Sequence, residues 1–228
     1  MTASRDQATQ DPLLAALVHE LRTPIAAILG LAVTLEREQL RTAEVKDLAE
    51  RIAANADRLD RMVADLLDLD RLSRGLVEPN VWPVDLGALA ERVVGRSGLA
   101  SGREVSVEAE DVVAEIDESK VERILENLLA NAVVHTAPDA RVWVSVRGDG
   151  DGAVIIVEDE GPGVPAEQRE AIFEPFRKSG TVEDSPGAGI GLALVARFAE
   201  IHGGRAWVEP RDPAGASFRV WLPARAGS

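Results

Sequence analysis

The sequence predicts a two-part chain of α and α+β class. A helical hairpin pairs with a second copy into a dimeric four-helix bundle, and an α/β sandwich follows, one sheet under one helical layer. Three observations predict it. Apolar residues recur at spacings of three and four from Leu13 to Leu69. Gly75, Pro79 and Pro83 then end the helical run. Beyond them, β-branched runs alternate with helical stretches. We divide the 228 residues into a linker or disordered segment, 1–10, a helical hairpin, 11–75, and a second domain, 76–228.

Each element has its own signal. Leu13, Leu17, Leu21, Ile25, Ile28, Ala32 and Leu35 mark a first helix to about Arg37, and polar residues 38–43 turn the chain. Val45, Leu48, Ile52, Asn55, Leu59, Met62, Leu66 and Leu69 then form a coiled-coil-like seam with charged flanks. A lone hairpin leaves its apolar stripe half uncovered, so a homodimer through residues 11–72 is expected. In the second domain, Asp85 reads as the N-cap of a helix through about Arg96. REVSVEA (103–109) and VVAEID (112–117) read as strands, and 118–135 as a helix. ARVWVSVRG (140–148) and GAVIIVEDE (152–160) read as strands joined by the turn signal DGDG. A short helix at 165–172 precedes a glycine-rich polar loop at 174–188 and a helix at 190–202. GRAWVEP (204–210) and ASFRVWLP (216–223) read as closing strands. Trp82, Trp143, Trp207 and Trp221 fall on strand-like segments and are expected in the core.

Composition excludes several classes. Hydrophobic residues make up 46%, which supports a packed core. No apolar run approaches the roughly 18 residues of a membrane span. The absence of cysteine rules out disulfides, iron–sulfur clusters and thiolate zinc sites, and fits a reducing compartment. A net charge of −14 argues against a nucleic-acid partner. Lys46, Lys120 and Lys178 are the only lysines, so basic roles fall to arginine.

The second domain carries the chemistry. In GAGIGL (187–192), Gly187, Gly189 and Gly191 let the backbone approach a phosphate at a helix N-terminus. No Gly-Lys-Ser/Thr follows, so this is not a Walker A loop, and no strand directly precedes it, so it is not a dinucleotide fingerprint. A plain glycine turn with a helix cap accounts for it equally well when taken alone. Asn127, Asn131 and His135 recur every four residues on one helix face, beside apolar Ile124, Leu128, Leu129 and Ala132. Asparagines there need partners. A hydrated Mg²⁺ shared with phosphates satisfies them, and so does amide pairing within the core.

Taken in order, HELRTP (19–24), ENLLANAVVHTA (126–137), DEGPG (159–163), FEPF (173–176) and GAGIGL make the chain resemble the catalytic core of bacterial sensor histidine kinases. The likeness runs over residues 11–224. It implies a phosphoacceptor and dimerisation hairpin followed by an ATP-binding α/β sandwich of the Bergerat (GHKL) type. The cofactors it implies are ATP and Mg²⁺, the partner is a response-regulator receiver domain, and the setting is cytoplasmic, as a soluble kinase or the cytoplasmic part of a longer sensor, membrane-bound or not.

By position, the resemblance makes His19 the phosphoacceptor. Asp159 accepts from the adenine amino group, and Gly161 and Gly163 let the nucleotide lie against the backbone. Asn127 and Asn131 hold Mg²⁺ and the phosphates. Residues 174–188 form a lid rooted at Phe173 and Phe176, with Arg177 and Lys178 placed to reach phosphate oxygens; Leu192 and His135 lie against the nucleotide. His135 reads as well as a helix-end residue, and Arg177 and Lys178 as well as a solvated pair. Phosphoryl transfer needs positioning and charge neutralisation, which such a set supplies. Neutral imidazole is available near pH 7, and adjacent Glu20 can take its proton. Thr23, one turn on, can orient a water, and the acidic–Thr spacing implies response-regulator phosphatase activity as well.

Pro24 has no N–H for the Glu20 carbonyl, so a kink or loosening after His19 is expected. Many relatives carry a basic residue where Val134 stands, which weakens ATP binding unless Arg177 and Lys178 compensate. Glu126 lies about 100° round the helix from Asn127, too far to activate water as hydrolytic relatives do. His202 reads as a helix C-cap. Two rival readings remain: a serine kinase or ATPase of the same ATP fold, and a non-catalytic dimeric docking scaffold.

Overall fold

The computed structural model describes residues 12–37, 40–97, 103–177 and 189–225. The chain divides into two compact units, one ending at Leu66 and one running from Leu67.

The first unit is built from α1 (Pro12–Arg37) and most of α2 (Thr42–Ser73), whose last residues fall past the division. At the start of α2, Glu44 receives the Arg41 backbone N–H at 2.8 Å and the Arg41 guanidinium at 2.6 Å, which occupies a donor the helix cannot. The predicted α2 seam holds: Leu48, Met62 and Leu69 are buried, and Ile52, Asn55, Leu59 and Leu66 are half-buried. Val45 is exposed instead.

On α1 the stripe differs from the expected one. The covered residues include Leu17, Leu21, Pro24, Ile28, Leu31 and Leu35, a four-three alternation, with Glu20, Ala27 and Thr34 half-buried beside them. Ile25 and Ala32, expected to face inward, are exposed. Spacings of three and four admit Ile25 and Ala32 as readily as their neighbours Pro24 and Leu31, and the fold buries the latter pair more. Pro24 is buried and the helix is continuous through it. The kink or loosening expected after His19 does not interrupt helical structure. Ile25 joins a second, outward stripe with Val18, Leu29 and Val33, 42–61% exposed. This surplus explains a further correction: Leu17–Glu36 reaches mean hydropathy 1.3 and is, by length and composition alone, long and apolar enough to cross a membrane.

The second unit is a mixed sheet under helices. Its elements are β1 (Trp82–Asp85), α3 (Leu86–Arg96), β2 (Val105–Ala109), β3 (Val113–Ile116), α4 (Glu118–His135), β4 (Val142–Asp149), β5 (Gly152–Asp159), α5 (Gly191–Ile201), β6 (Arg205–Pro210) and β7 (Ala216–Pro223). Five strands run in the order β2-β4-β5-β7-β6, with β2 and β4 parallel and the rest antiparallel. β1 and β3 form a separate antiparallel pair. Two 3₁₀ turns, Ala166–Gln168 and Ala171–Phe173, replace the single short helix expected at 165–172.

Side chains alternate across the strands. Val142, Val144 and Val146 of β4, Val157 and Ile155 of β5, and Phe218, Val220 and Leu222 of β7 share one buried face. The helices supply the facing side chains: Leu89 and Val93 of α3, Ile124, Leu125 and Leu128 of α4, and Leu194 and Phe198 of α5 are 3% exposed or less. Three tryptophans lie on the opposite face and none of the four is buried. Trp143 pairs across β5 with Glu158, and Trp221 with Val154, away from the core face. Arginines cover these rings: Arg211 lies 3.8 Å from the Trp143 centroid and Arg205 5.2 Å from Trp207. Trp82, 41% exposed, lies on β1.

Candidate functional site

α4 is fixed at its start and its end. The Asp117 carboxylate caps it, accepting from the Ser119 and Lys120 amides at 3.1 and 3.3 Å. At the other end, Arg103 donates to the Ala137 carbonyl at 2.7 Å and to the Thr136 hydroxyl. Apolar Ile124, Leu128 and Ala132 bury one stripe, and Asn127 and Asn131 rise beside it, half-buried.

Asn127 spends its amide nitrogen on the Arg123 carbonyl at 2.9 Å. Its oxygen faces the first residue of α5, where a Cβ on Gly191 would come within 2.9 Å of Oδ1. Asn131 has no hydrogen-bond partner among the described residues. Asn127 thus presents its amide oxygen toward the start of α5, with Asn131 one turn further along the same helix face. Among the described residues no group of three or more His, Cys, Asp or Glu could hold a metal ion. A divalent cation here fits only as one shared between these amide oxygens and a ligand's phosphates, the way Mg²⁺ is usually held. Glu126 points to solvent, 3.5 Å from Arg123.

α5 begins differently from its neighbours. α3 and α4 carry the aspartate caps Asp85 and Asp117. The α5 N-cap is Ile190, which makes no side-chain cap bond. The first helical bond is Leu194 N–H to the Ile190 carbonyl at 2.9 Å, and among the described residues none accepts from the amides of Gly191, Leu192 and Ala193. Open amides, the positive dipole end and a glycine at the first position make an anion site.

The chain is pinched just before α5. Phe176 N–H donates to the Gly189 carbonyl at 2.8 Å, bringing together the residues on either side of 178–188. Phe176 adopts φ 62° and Gly189 φ +65°, and a Cβ on Gly189 would lie 2.8 Å from the Arg177 carbonyl oxygen. The glycine is required there. Arg177 is engaged by Glu174 at 3.0 Å and does not turn toward Asn127. Lys178 and Gly187 lie outside the described residues.

At the end of β5, Asp159 is 3% exposed and accepts the Gly161 N–H at 2.8 Å. Burial pushes its carboxyl above the usual carboxylate range, opposed by the Gly161 and Ala216 amides and by His135 and Arg211. A Cβ on Gly161 would meet Asp159 Oδ1 at 2.7 Å and the His135 carbonyl oxygen at 3.0 Å. Gly163 (φ +74°) faces the Gly215 carbonyl, 2.9 Å from where its Cβ would be. His135 lies at the end of α4, its imidazole pKa held down by desolvation and raised in turn by Asp159. The structure thus gathers Asn127, Asn131, His135, Asp159, Gly161, Gly163, Gly189, Gly191 and Leu192 around the ends of α4, β5 and α5. It adds Arg103, Arg211 and Gly215, which no sequence signal picked out. They are held by loop geometry and lie outside any motif or period.

In the first unit, His19 and Thr23 are exposed on α1 and Glu20 is half-buried. The Thr23 hydroxyl lies 3.4 Å from the His19 carbonyl oxygen, a bond back along the helix, where the sequence reading gave it a water.

Comparison with known proteins adds to this geometry. Residues 9–75 match the His Kinase A (phospho-acceptor) domain. Residues 116–226 match the family described as histidine kinase-, DNA gyrase B- and HSP90-like ATPase. The circadian input-output histidine kinase CikA of Synechococcus elongatus is 30% identical over 97% of this chain and 31% of its own length. The mycobacterial sensor histidine kinase MprB structure is 32% identical at a TM-score of 0.59, over 64% of this chain and all of that one. Full-length ShkA in complex with AMPPNP is 30% identical at a TM-score of 0.66, over 95% of this chain and 46% of that one. The chain spans about a third of the length of the curated relatives it matches.

Proposed function

The chain belongs to the two-component sensor histidine kinase family, and we propose that it uses ATP to phosphorylate its own His19 and passes the group to an aspartate of a response-regulator receiver domain. The observation that carries the nucleotide half is the uncapped start of α5 set against Asn127, with Asp159 buried beside Gly161. Phosphates fit the open amides of Gly191, Leu192 and Ala193. An adenine amino group fits the Asp159 carboxylate, whose other bonds are to backbone amides. Bound Mg²⁺, held by the phosphates and by Asn127 and Asn131, would neutralise phosphate charge.

The chemistry asked of the protein is then small. A neutral imidazole nitrogen of His19 forms the N–P bond as the bond from the γ-phosphorus to the ADP oxygen breaks. The imidazole proton leaves to Glu20, the adjacent carboxylate. The phosphatase activity follows from Thr23, whose back-bond to the His19 carbonyl is weak enough at 3.4 Å to exchange for a water. A second copy of the chain covers the Val18, Ile25, Leu29 and Val33 stripe, completing a four-helix bundle. The same pairing accounts for the hydropathy of Leu17–Glu36 and keeps the chain cytoplasmic, whether alone or as part of a longer sensor.

Incubation with γ-labelled ATP and Mg²⁺ tests this. Acid-labile, alkali-stable label that disappears in His19→Gln is expected. Acid-stable label would make it a serine kinase, and no label despite nucleotide binding would make it a scaffold.

A further inference from the structure

His202 is a buried histidine to which the proposed chemistry gives no role. It is 5% exposed and closes α5. Its Nδ1 lies 2.6 Å from the Phe198 carbonyl oxygen, and its Nε2 accepts the Asp117 backbone N–H at 3.0 Å. A carbonyl only accepts and an amide only donates, so the geometry fixes a neutral ring with its proton on Nδ1. The ring thereby joins the last turn of α5 to the residue that caps α4. Asp117 is itself a junction: its carboxylate also accepts the Asn80 N–H at 3.1 Å, from the segment between α2 and β1.

Three contacts run in order along the two helices. Asp117 meets His202, Lys120 lies 5.3 Å from the Phe198 ring centroid, and Asn127 abuts Gly191. The helices are therefore antiparallel, pinned by His202 at one end and open at the other, where the proposed nucleotide site lies. The open end has no slack, because even a Cβ on Gly191 would come within 2.9 Å of Asn127 Oδ1. A slip of α5 along α4 would move the open amides away from the Asn127 oxygen or drive them into it.

We propose that His202 is a positioning residue for the nucleotide site, setting the register of α5 against α4 through its bond to the Asp117 amide. The inference rests on the nucleotide reading above. Two replacements separate its two bonds. In His202→Gln the side-chain oxygen sits near the place of Nε2 and can still accept from the Asp117 amide. In His202→Asn the shorter amide can donate to the Phe198 carbonyl but does not reach Asp117.

The test measures Mg-ADP affinity by calorimetry and the KM for ATP and kcat of autophosphorylation on the full chain, with hydrogen exchange at the Asp117 amide. His202→Asn is expected to raise the ADP Kd and the ATP KM about tenfold, the size of one lost buried hydrogen bond, with a smaller change in kcat. Its Asp117 amide should exchange freely. His202→Gln should recover affinity and protection together. Recovery by Asn and not by Gln would make His202 only a cap of α5 and overturn the inference. So would wild-type affinity in His202→Asn with a lowered Tm. Nitrogen NMR of the wild type gives a check that needs no variant to fold: a ring protonated on Nε2 overturns the inference. A wild-type chain that binds no ADP would instead sink the nucleotide reading, while the tautomer and the Asp117 amide still report on the lock.

Discussion

Gly161→Ala is the sharpest test of the site's geometry. The new Cβ would lie 2.7 Å from Asp159 Oδ1, 3.0 Å from the His135 carbonyl oxygen and 3.2 Å from Thr136 Cγ2. An ordinary carbon–oxygen contact is about 3.3–3.6 Å, so the carboxylate must retreat by roughly half an ångström or more. The His135 oxygen belongs to the end of α4, which Arg103 holds by way of Thr136 and Ala137, and it cannot yield as easily. Asp159 therefore moves, and its 2.8 Å bond from the Gly161 amide is lost. Overpacking of this kind costs about 1–3 kcal/mol, or about 2–4 °C in Tm per kcal/mol for a chain of this size. Displacing a carboxylate that accepts from a ligand amino group costs about 1.5–3 kcal/mol more, some 10- to 100-fold in nucleotide Kd. Thermal melting of the apo protein and ADP calorimetry measure the two separately. Adding Asp159→Ala removes the obstructing oxygen. It should return part of the lost stability, a coupling of about 0.5–3 kcal/mol, and none of the lost affinity. If Gly161→Ala binds ADP as tightly as the wild type, or if Asp159→Ala leaves its Tm unrescued, the contact geometry does not govern the site.

Asp159 and Asp117 should answer to pH with opposite signs. Burial raises the Asp159 pKa, so its ionised form costs stability at neutral pH, and that cost fades as pH falls through the folded-state pKa. Asp159→Asn should therefore lose ADP binding while raising the apo Tm by a few degrees, about 1 kcal/mol, with the gain shrinking in acid. For Asp117, burial pushes the pKa up but is outweighed by bonds from Ser119, Asn80 and Lys120 and by the Lys120 charge, which leave it below 3.8. Its stabilisation is complete above 3.8 and is lost as pH falls below that value toward the folded-state pKa. Asp117→Asn should then cost about 1 kcal/mol at pH 7. Wild type and variant should converge in acid melting curves below about pH 4.

Local chemistry made much of this fold legible. Asp85 announces α3, because a cap is a short-range device, and the bounds of α3 and α4 match the expected helices; the cap on α4, Asp117, was read only as the end of a strand. What failed was whatever depends on a remote partner. β1 was sensed only as a strand-like setting for Trp82 and given no bounds, because four residues with Pro83 among them and a single buried side chain, Val84, make no alternation to read. Pro83 is tolerated because β1 pairs only with β3. The tryptophans were misplaced because alternation says that Trp143 and Val142 face opposite ways, and not which face the helices cover. The site divided along the same line. Asn127, Asn131, Asp159 and the glycines stand out by residue type and spacing. Arg103, Arg211 and Gly215 owe their positions to loops that bring distant segments together.

Pro24 brings local and remote reasons into one residue. Read locally, it weakens a helix, because it brings no N–H to the Glu20 carbonyl. In the fold it occupies a buried seam position between Leu21 and Ile28, where burial of its ring compensates the missing bond and the helix stays continuous. The weakness is therefore held in check by whatever covers the seam. It lies one turn beyond His19, on the exposed side of which Thr23 spends its hydroxyl on the His19 carbonyl. Any change that uncovers the seam at Pro24 acts on the turn carrying His19 first, because that is where α1 has one backbone bond fewer to lose. A helix break placed in a loop or on the solvent face would have no such dependence on packing.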